Sequence, residues 1–224
     1  MIPKLSIALQ FPDPAKANED GILAYGGDLS PSRLMLAYRK GIFPWYSLND
    51  PIIWWSPNPR FILELNEFKC HRSLKRRMAH FDVRFDTAFS EVISACSSIP
   101  RPGQRGTWIV PEMIEAYEAL FDLGYAHSVE VYQNEVLVGG LYGVSVGRVF
   151  CGESMFSHVH DASKVALAVL VEHLKVWGYD FIDCQIPTDH LKRLGAKEIS
   201  REVFLERLTK NTWEELQIPW IKIG

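Results

Sequence analysis

Phe150-Cys151-Gly152-Glu153-Ser154-Met155-Phe156-Ser157 reads as an interior strand that carries one carboxylate, Glu153. An isolated buried carboxylate is costly unless something pairs with it. A second acid in a similar setting is Asp183, within Phe181-Ile182-Asp183-Cys184-Gln185. Two acids on apolar strands point to a site that holds something positively charged. The alternative is that each acid is paired with a structural Arg or with backbone amides. Gln185 shares a strand face with Asp183 under the two-residue period of a strand. An amide beside a carboxylate can orient it or bind substrate.

Working outward, the stretch is the third strand of an antiparallel run. A hairpin is expected over 128–132 and 136–144 with its turn near Asn134-Glu135, followed by a strand over 148–156. A long helix should span 162–177, with Gly178 just past its end, and a strand should follow at 181–185. A last strand is expected near 203–208. Before the hairpin, 61–65 reads as a strand and 73–80 as a short basic helix. Asp86 can cap a helix reaching about residue 95, with Phe89, Val92, Ile93 and Cys96 on one side. Pro111 opens another, with Met113, Ile114, Tyr117, Leu120 and Phe121 inward. Residues 1–60 differ in composition, being rich in Pro, Gly and Trp with one clear helix. Ser30 can cap that helix, Pro31 takes its first position and Gly41 follows its end. The proline-rich stretch 43–59 is expected to be a rigid connector without regular structure. We therefore expect a small N-terminal domain over 1–60 and a larger one over 61–224. Strands, then helix, then strand is an α+β pattern. The order resembles the acetyltransferase (GNAT) fold, with a mostly antiparallel mixed sheet, a fold that does not settle function.

The bulk properties exclude little. The chain has 224 residues, 47% hydrophobic and 23% charged, with a net charge of −3. Any nucleic-acid contact must be a local patch. Cysteines stand at 70, 96, 151 and 184 with no C-x-x-C pair, and no apolar run reaches the ~18 residues of a membrane span. A reducing, cytosolic setting is expected, with no membrane partner. His158 and His160 form H-x-H without further ligands at metal-like spacing. Ser154 and Ser157 lack the G-x-S-x-G context of a nucleophile. Lys69, Arg72, Lys75, Arg76 and Arg77 put five cations within nine residues. Such a run is either a solvated face or a phosphate-binding patch. Trp45, Trp54, Trp55 and Trp108 stand in or near non-regular segments, as core fillers or as platforms for stacking bases. The glycine cluster at 139–143 suggests tight sheet packing or close backbone approach by a ligand.

Taken together, the ordered motifs resemble the leucyl/phenylalanyl-tRNA–protein transferase family. They run from Leu23-Ala24-Tyr25-Gly26-Gly27-Asp28-Leu29-Ser30-Pro31 through Gly41-Ile42-Phe43-Pro44-Trp45 and Trp54-Trp55-Ser56-Pro57-Asn58-Pro59-Arg60. They continue with Thr107-Trp108-Ile109, His127-Ser128-Val129-Glu130, the Glu153 segment, Ala162-Ser163-Lys164 and Asp183-Cys184-Gln185. The resemblance covers nearly the whole chain, except for the tail after Leu208. It implies transfer of Leu or Phe, and less well Met, from aminoacyl-tRNA to proteins with N-terminal Arg or Lys. That transfer marks them for degradation by the N-terminal rule in the bacterial cytosol. It implies that Trp45 and Trp108 hold the 3′-terminal adenosine with Phe150 nearby. Leu141 and Met155 would line the side-chain pocket, with Ser157 a further substrate contact. Glu153, Asp183 and Gln185 would hold the reacting amines and the ester, Asp183 and Gln185 taking part in bond making. Arg72, Lys75, Arg76 and Arg77 would contact the acceptor stem. One departure stands at Thr188, where the family pattern has Asn. The ester is already activated, so no cofactor is expected, and a monomer is expected.

Two other classes compete. An acyl-CoA N-acyltransferase would share the fold, but it usually carries a glycine-rich loop before the long helix. Here the junction is Met155-Phe156-Ser157-His158-Val159-His160-Asp161-Ala162, with no glycine and an added acid. A non-catalytic RNA-binding protein accounts for the tryptophans and cations but not for Glu153 and Asp183.

Overall fold

Asn134 and Glu135 both have positive φ, 51° and 62°. That pair matches the right-handed twist of a tight hairpin and fixes its register. It joins β7 (Ala126–Gln133) to β8 (Val136–Val146), and β9 (Val149–Ser157) returns beside β8. A computed structural model of the chain describes residues 1–99, 107–212 and 218–221. Most of the tail after Asn211, at 213–217 and 222–224, lies outside the described residues.

The N-terminal part holds β1 (Lys4–Leu5), β2 (Ile22–Gly26), α1 (Pro31–Arg39), β3 (Phe43–Pro44) and β4 (Ile53–Trp55). Its four strands form one sheet in the order β1-β2-β4-β3. The chain then crosses at β5 (Arg60–Glu64) into a larger sheet. There follow α2 (Arg72–Met78), β6 (Asp82–Phe85), α3 (Phe89–Ser98) and α4 (Pro111–Asp122) before the hairpin. After β9 come α5 (Ala162–Val176), β10 (Phe181–Gln185), α6 (Asp189–Arg193), β11 (Lys197–Ile199) and α7 (Arg201–Asn211). The large sheet has the order β11-β5-β10-β9-β8-β7-β6. Within it β9 and β10 run parallel, joined by α5 as the crossover; the other pairs are antiparallel. The fold is α+β with two sheets.

Strand alternation divides the core in two. Leu141, Phe150, Ile182 and Leu63 point to a cluster built around α5, while Tyr142, Cys151, Phe181 and Ile62 point to one containing α1, α3 and α4. The glycines allow the close fit. A Cβ at Gly139 would stand 2.5 Å from that of Ala162 on α5, and one at Gly143 would stand 2.2 Å from the Cys151 carbonyl oxygen. The packing reading of the cluster accounts for both.

Four expectations need correction. Residues 43–59 are not irregular throughout, since β3 and β4 lie within them. Pro44 is tolerated because β3 is an edge strand, where a missing N–H breaks no ladder. Residues 203–208 are helical, not extended. Ser200 caps α7 by accepting from Val203 N, and Phe204 and Leu208, four apart, face inward. Asp86 caps no helix; with φ 55° it accepts from Ser128 N and pairs with His127, and α3 begins at Phe89. Ser30 makes no side-chain cap; Asp28 instead accepts from Ser30 N at 2.9 Å.

Candidate active site

The parallel pair comes apart where the site begins. β9 and β10 pair at Val149/Phe181, Phe150/Ile182 and Cys151/Asp183, and no further, although both strands continue. Each is irregular at that point. The β8–β9 register shifts so that Glu153 has no cross-strand partner, and the β10–β5 register shifts between Asp183 and Gln185. Such bulges re-aim side chains. Gln185 has φ 63°, a left-handed conformation that a residue with a Cβ adopts only at a cost.

Across the gap, Gln185 Nε2 donates to Glu153 Oε1 at 2.6 Å. Tyr117, from α4, donates its hydroxyl to Glu153 Oε2 at 3.1 Å. The Tyr38 hydroxyl, from α1, is hydrogen-bonded in turn to that of Tyr117. Glu153 is thus a buried acid held by neutral partners. Burial pushes its pKa up to about 7, against the opposing pull of hydrogen bonds from Tyr38, Tyr117 and Gln185. Burial also raises both tyrosines well above their ordinary value, with the Glu153 charge adding to the effect.

Asp183 is held differently. Arg60 grips both its oxygens, Nε to Oδ1 at 2.8 Å and Nη2 to Oδ2 at 2.7 Å. Gln185 N donates to Oδ1 at 3.0 Å, and both charged side chains are only 1% exposed. Of the two ways to keep a buried acid, Asp183 takes the structural Arg. Its carboxylate does not line the cavity.

That cavity has a volume of about 720 Å³. Phe43, Pro44, Trp45 and Trp108 form one wall. The interior is apolar, with Leu141, Phe150, Met155, Leu167, Leu170 and Ile182 around it and Glu153 and Gln185 as polar groups at its side. Leu141 and Met155 are cross-strand partners, so their side chains sit together. Trp45 is half-buried, 5.2 Å from the Trp55 ring, and Trp55 Nε1 donates to its carbonyl at 2.6 Å. Residues 188–191 and Arg193 form the far rim. Thr188 caps α6 by accepting from Leu191 N at 3.2 Å.

The cavity therefore gathers Trp45, Trp108, Leu141, Phe150, Glu153, Met155 and Gln185 of the expected residues. It does not gather Ser157, whose hydroxyl donates to the Val159 carbonyl at 2.8 Å and accepts from Ser163 N at 3.2 Å, turning the chain into α5. Arg72, Lys75, Arg76 and Arg77 are exposed on α2, which is anchored by buried Leu74. Arg77 leans toward α5, 3.7 Å from Asp161 and 3.3 Å from His160 Nδ1. Sequence reasoning missed Tyr38, Tyr117 and Arg60. The signal was present for the tyrosines, because a phenol on an inward helix face needs a partner for its hydroxyl. Among the described residues, no group of three or more His, Cys, Asp or Glu is placed to hold a metal ion. None of their helices is long and apolar enough to cross a membrane.

A large apolar pocket with a few polar groups at its side has the form of a ligand-binding site. The family model "Leucyl/phenylalanyl-tRNA protein transferase" matches residues 62–209, and that family's N-terminal domain model matches 27–58. The leucyl/phenylalanyl-tRNA–protein transferase of Sulfurimonas denitrificans is 62% identical over 98% of this chain and 97% of its own. That of Myxococcus xanthus is 52% identical over 89% of this chain and 86% of its own. Among solved structures, a GCN5-related glucosamine N-acetyltransferase region of a fungal multi-domain protein gives a TM-score of 0.45 at 13% identity, covering 80% of this chain and 23% of that one. That likeness does not bear on function. The chain is an aminoacyltransferase. It belongs to the leucyl/phenylalanyl-tRNA–protein transferase family.

Proposed function

We propose that this protein moves Leu or Phe, and less well Met, from aminoacyl-tRNA to the α-amino group of proteins with N-terminal Arg or Lys. The transfer would mark those proteins for degradation by the N-terminal rule. The observation that carries this reading is the cavity in which an apolar pocket, two tryptophans and the Glu153–Gln185 pair meet. Leu or Phe fits among Leu141, Phe150 and Met155. The terminal adenosine lies against Trp45 and Trp108, where base–aromatic stacking contributes about 1–3 kcal/mol. An apolar pocket discriminates a methylene by only ~1–3 kcal/mol, so some leakage to Met is expected.

The reaction is aminolysis of an ester. The acceptor nitrogen attacks the ester carbonyl, a C–N bond forms, the C–O bond to the ribose breaks, and a proton passes from nitrogen to the leaving hydroxyl. An α-amine has a pKa of about 7.7–8.0, so a sizeable fraction is already neutral at neutral pH. The chain then needs to place the amine rather than to generate it. With Nε2 of Gln185 committed to Glu153, the amide oxygen is the acceptor that can orient the incoming N–H. Glu153 supplies negative character to the wall as it ionises near neutral pH. Asp183 acts by holding Gln185 through its backbone N–H, since its carboxylate is buried beside Arg60 and does not line the cavity. The α2 cations receive tRNA phosphates, and the protein works as a monomer.

The test is incubation with labelled Leu-tRNA and a peptide beginning with Arg. Label should appear at the peptide's N-terminus, and a matching peptide beginning with Ala should stay unlabelled. Equal labelling of both would remove the Arg/Lys preference from the reading. Binding of both substrates without transfer would remove the reading itself.

A further inference from the structure

Arg60 touches more of the molecule than its ion pair requires. Besides holding Asp183, its Nη1 donates to the Gly41 carbonyl at 3.0 Å. Its guanidinium lies 4.9 Å from the Phe43 ring centroid and 4.4 Å from that of Phe204 on α7. Gly41 has φ 70°, and a Cβ there would stand 2.6 Å from Leu205 and 2.8 Å from Phe204, so α7 closes directly over this junction. Arg60 also stands where the chain leaves the smaller sheet for the larger one, and it is 1% exposed.

We propose that Arg60 is the positioning residue that sets the two walls of the cavity against each other. Its fork fixes Asp183, and Asp183 fixes the left-handed turn that aims Gln185. Its third donor and its planar face fix the segment from Gly41 through Phe43 to Trp45. Lysine cannot replace it, because a single ammonium offers neither the fork nor the flat face. The inference rests on the reading above, in which Gln185 and Trp45 both meet substrate. It adds that one buried side chain couples them.

The experiment uses the full chain with Arg60→Lys, Asp183→Asn and the double variant. It reads kcat, KM for Leu-tRNA, and the affinity of 3′-amide-linked phenylalanyl-adenosine by tryptophan fluorescence. Arg60→Lys should lower kcat by about 100-fold, the effect of a roughly 1 Å misplacement, and weaken the adenosine compound by about tenfold. Asp183→Asn should lower kcat to a similar extent while leaving that affinity within about twofold. The double variant should turn over no more slowly than the worse single variant, because both act on Gln185 through one chain of side chains. Two results overturn the proposal: wild-type kcat and affinity for Arg60→Lys well below its melting temperature, or losses in kcat that multiply in the double variant. If these variants do not fold by circular dichroism, Phe204→Leu takes their place. Phe204 touches the guanidinium but does not line the cavity, and its loss should weaken the compound and slow turnover by about threefold each. Unchanged values there also overturn the proposal. A wild-type chain that binds the compound but transfers nothing removes the transferase reading alone. The affinity of Arg60→Lys still decides whether Arg60 sets the Trp45 wall.

Discussion

Glu153 links stability to pH in a direction opposite to most surface acids. Its carboxyl has an ordinary value of 4.5 and stands at about 7 in the folded chain. Between those pH values the native state keeps a proton that the unfolded state has lost. Stability therefore falls as pH rises through the window, by up to about 3 kcal/mol from this group, and levels off above it. Glu153→Gln mimics the protonated acid and lacks that slope. Thermal melts of wild type and variant from pH 4.5 to 8 should show wild type losing ground to the variant up to about pH 7. Parallel curves would mean the carboxyl is not raised. Much of this site was legible: Glu153, Asp183 and Gln185 stood out because acids and amides are rare on apolar strands. What could not be read was how the acids divide the work, because partners 123 residues apart in sequence, such as Arg60 and Asp183, leave no local pattern. Ser157 lies at the strand's end, where its hydroxyl bonds within the turn into α5 and outside the cavity lining.

Among the elements, α2 carries the clearest prediction. Leu74 is its buried anchor, so the cations can be changed with little effect on packing. Arg76→Ala with Arg77→Ala should reduce the slope of log affinity for tRNA against log salt by about 2, roughly one unit for each phosphate no longer neutralised. An unchanged slope would make α2 an ordinary solvated face. The hairpin, α4 and α5 were legible because periodicity, turn residues and caps agree there. The last helix was not, because Val203-Phe204-Leu205 is a three-residue apolar run, the same in a strand or a helix. Only the Ser200 cap and the spacing of 204 and 208 separate the two. In the N-terminal part, three- and two-residue strands between prolines fall below what alternation can show.

For the whole molecule, the two sheets share one of the two apolar clusters. A single apolar cluster holds Leu23, Leu34 and Trp54 from the N-terminal part together with Phe89, Met113, Tyr142 and Phe204 from the larger one. Arg201 also spans the parts, its Nη1 donating to the Ser56 carbonyl at 2.6 Å. Calorimetry should accordingly give one unfolding transition, with equal van't Hoff and calorimetric enthalpies of about 150 kcal/mol near 60 °C. Two resolved transitions would mean the parts melt separately. The hydrogen-bond chain from Tyr38 through Tyr117 to Glu153 begins on the N-terminal helix. A fragment starting at residue 61 would retain nearly all of the larger sheet. It would nonetheless lack Tyr38, the Gly41 carbonyl, the plate of Trp45 and Arg60 itself. In modular terms the larger part is not portable: grafting it elsewhere, or swapping the N-terminal piece for another family's, would strip one wall from the cavity and cut the hydrogen-bond chain behind Glu153 while leaving the larger sheet in view.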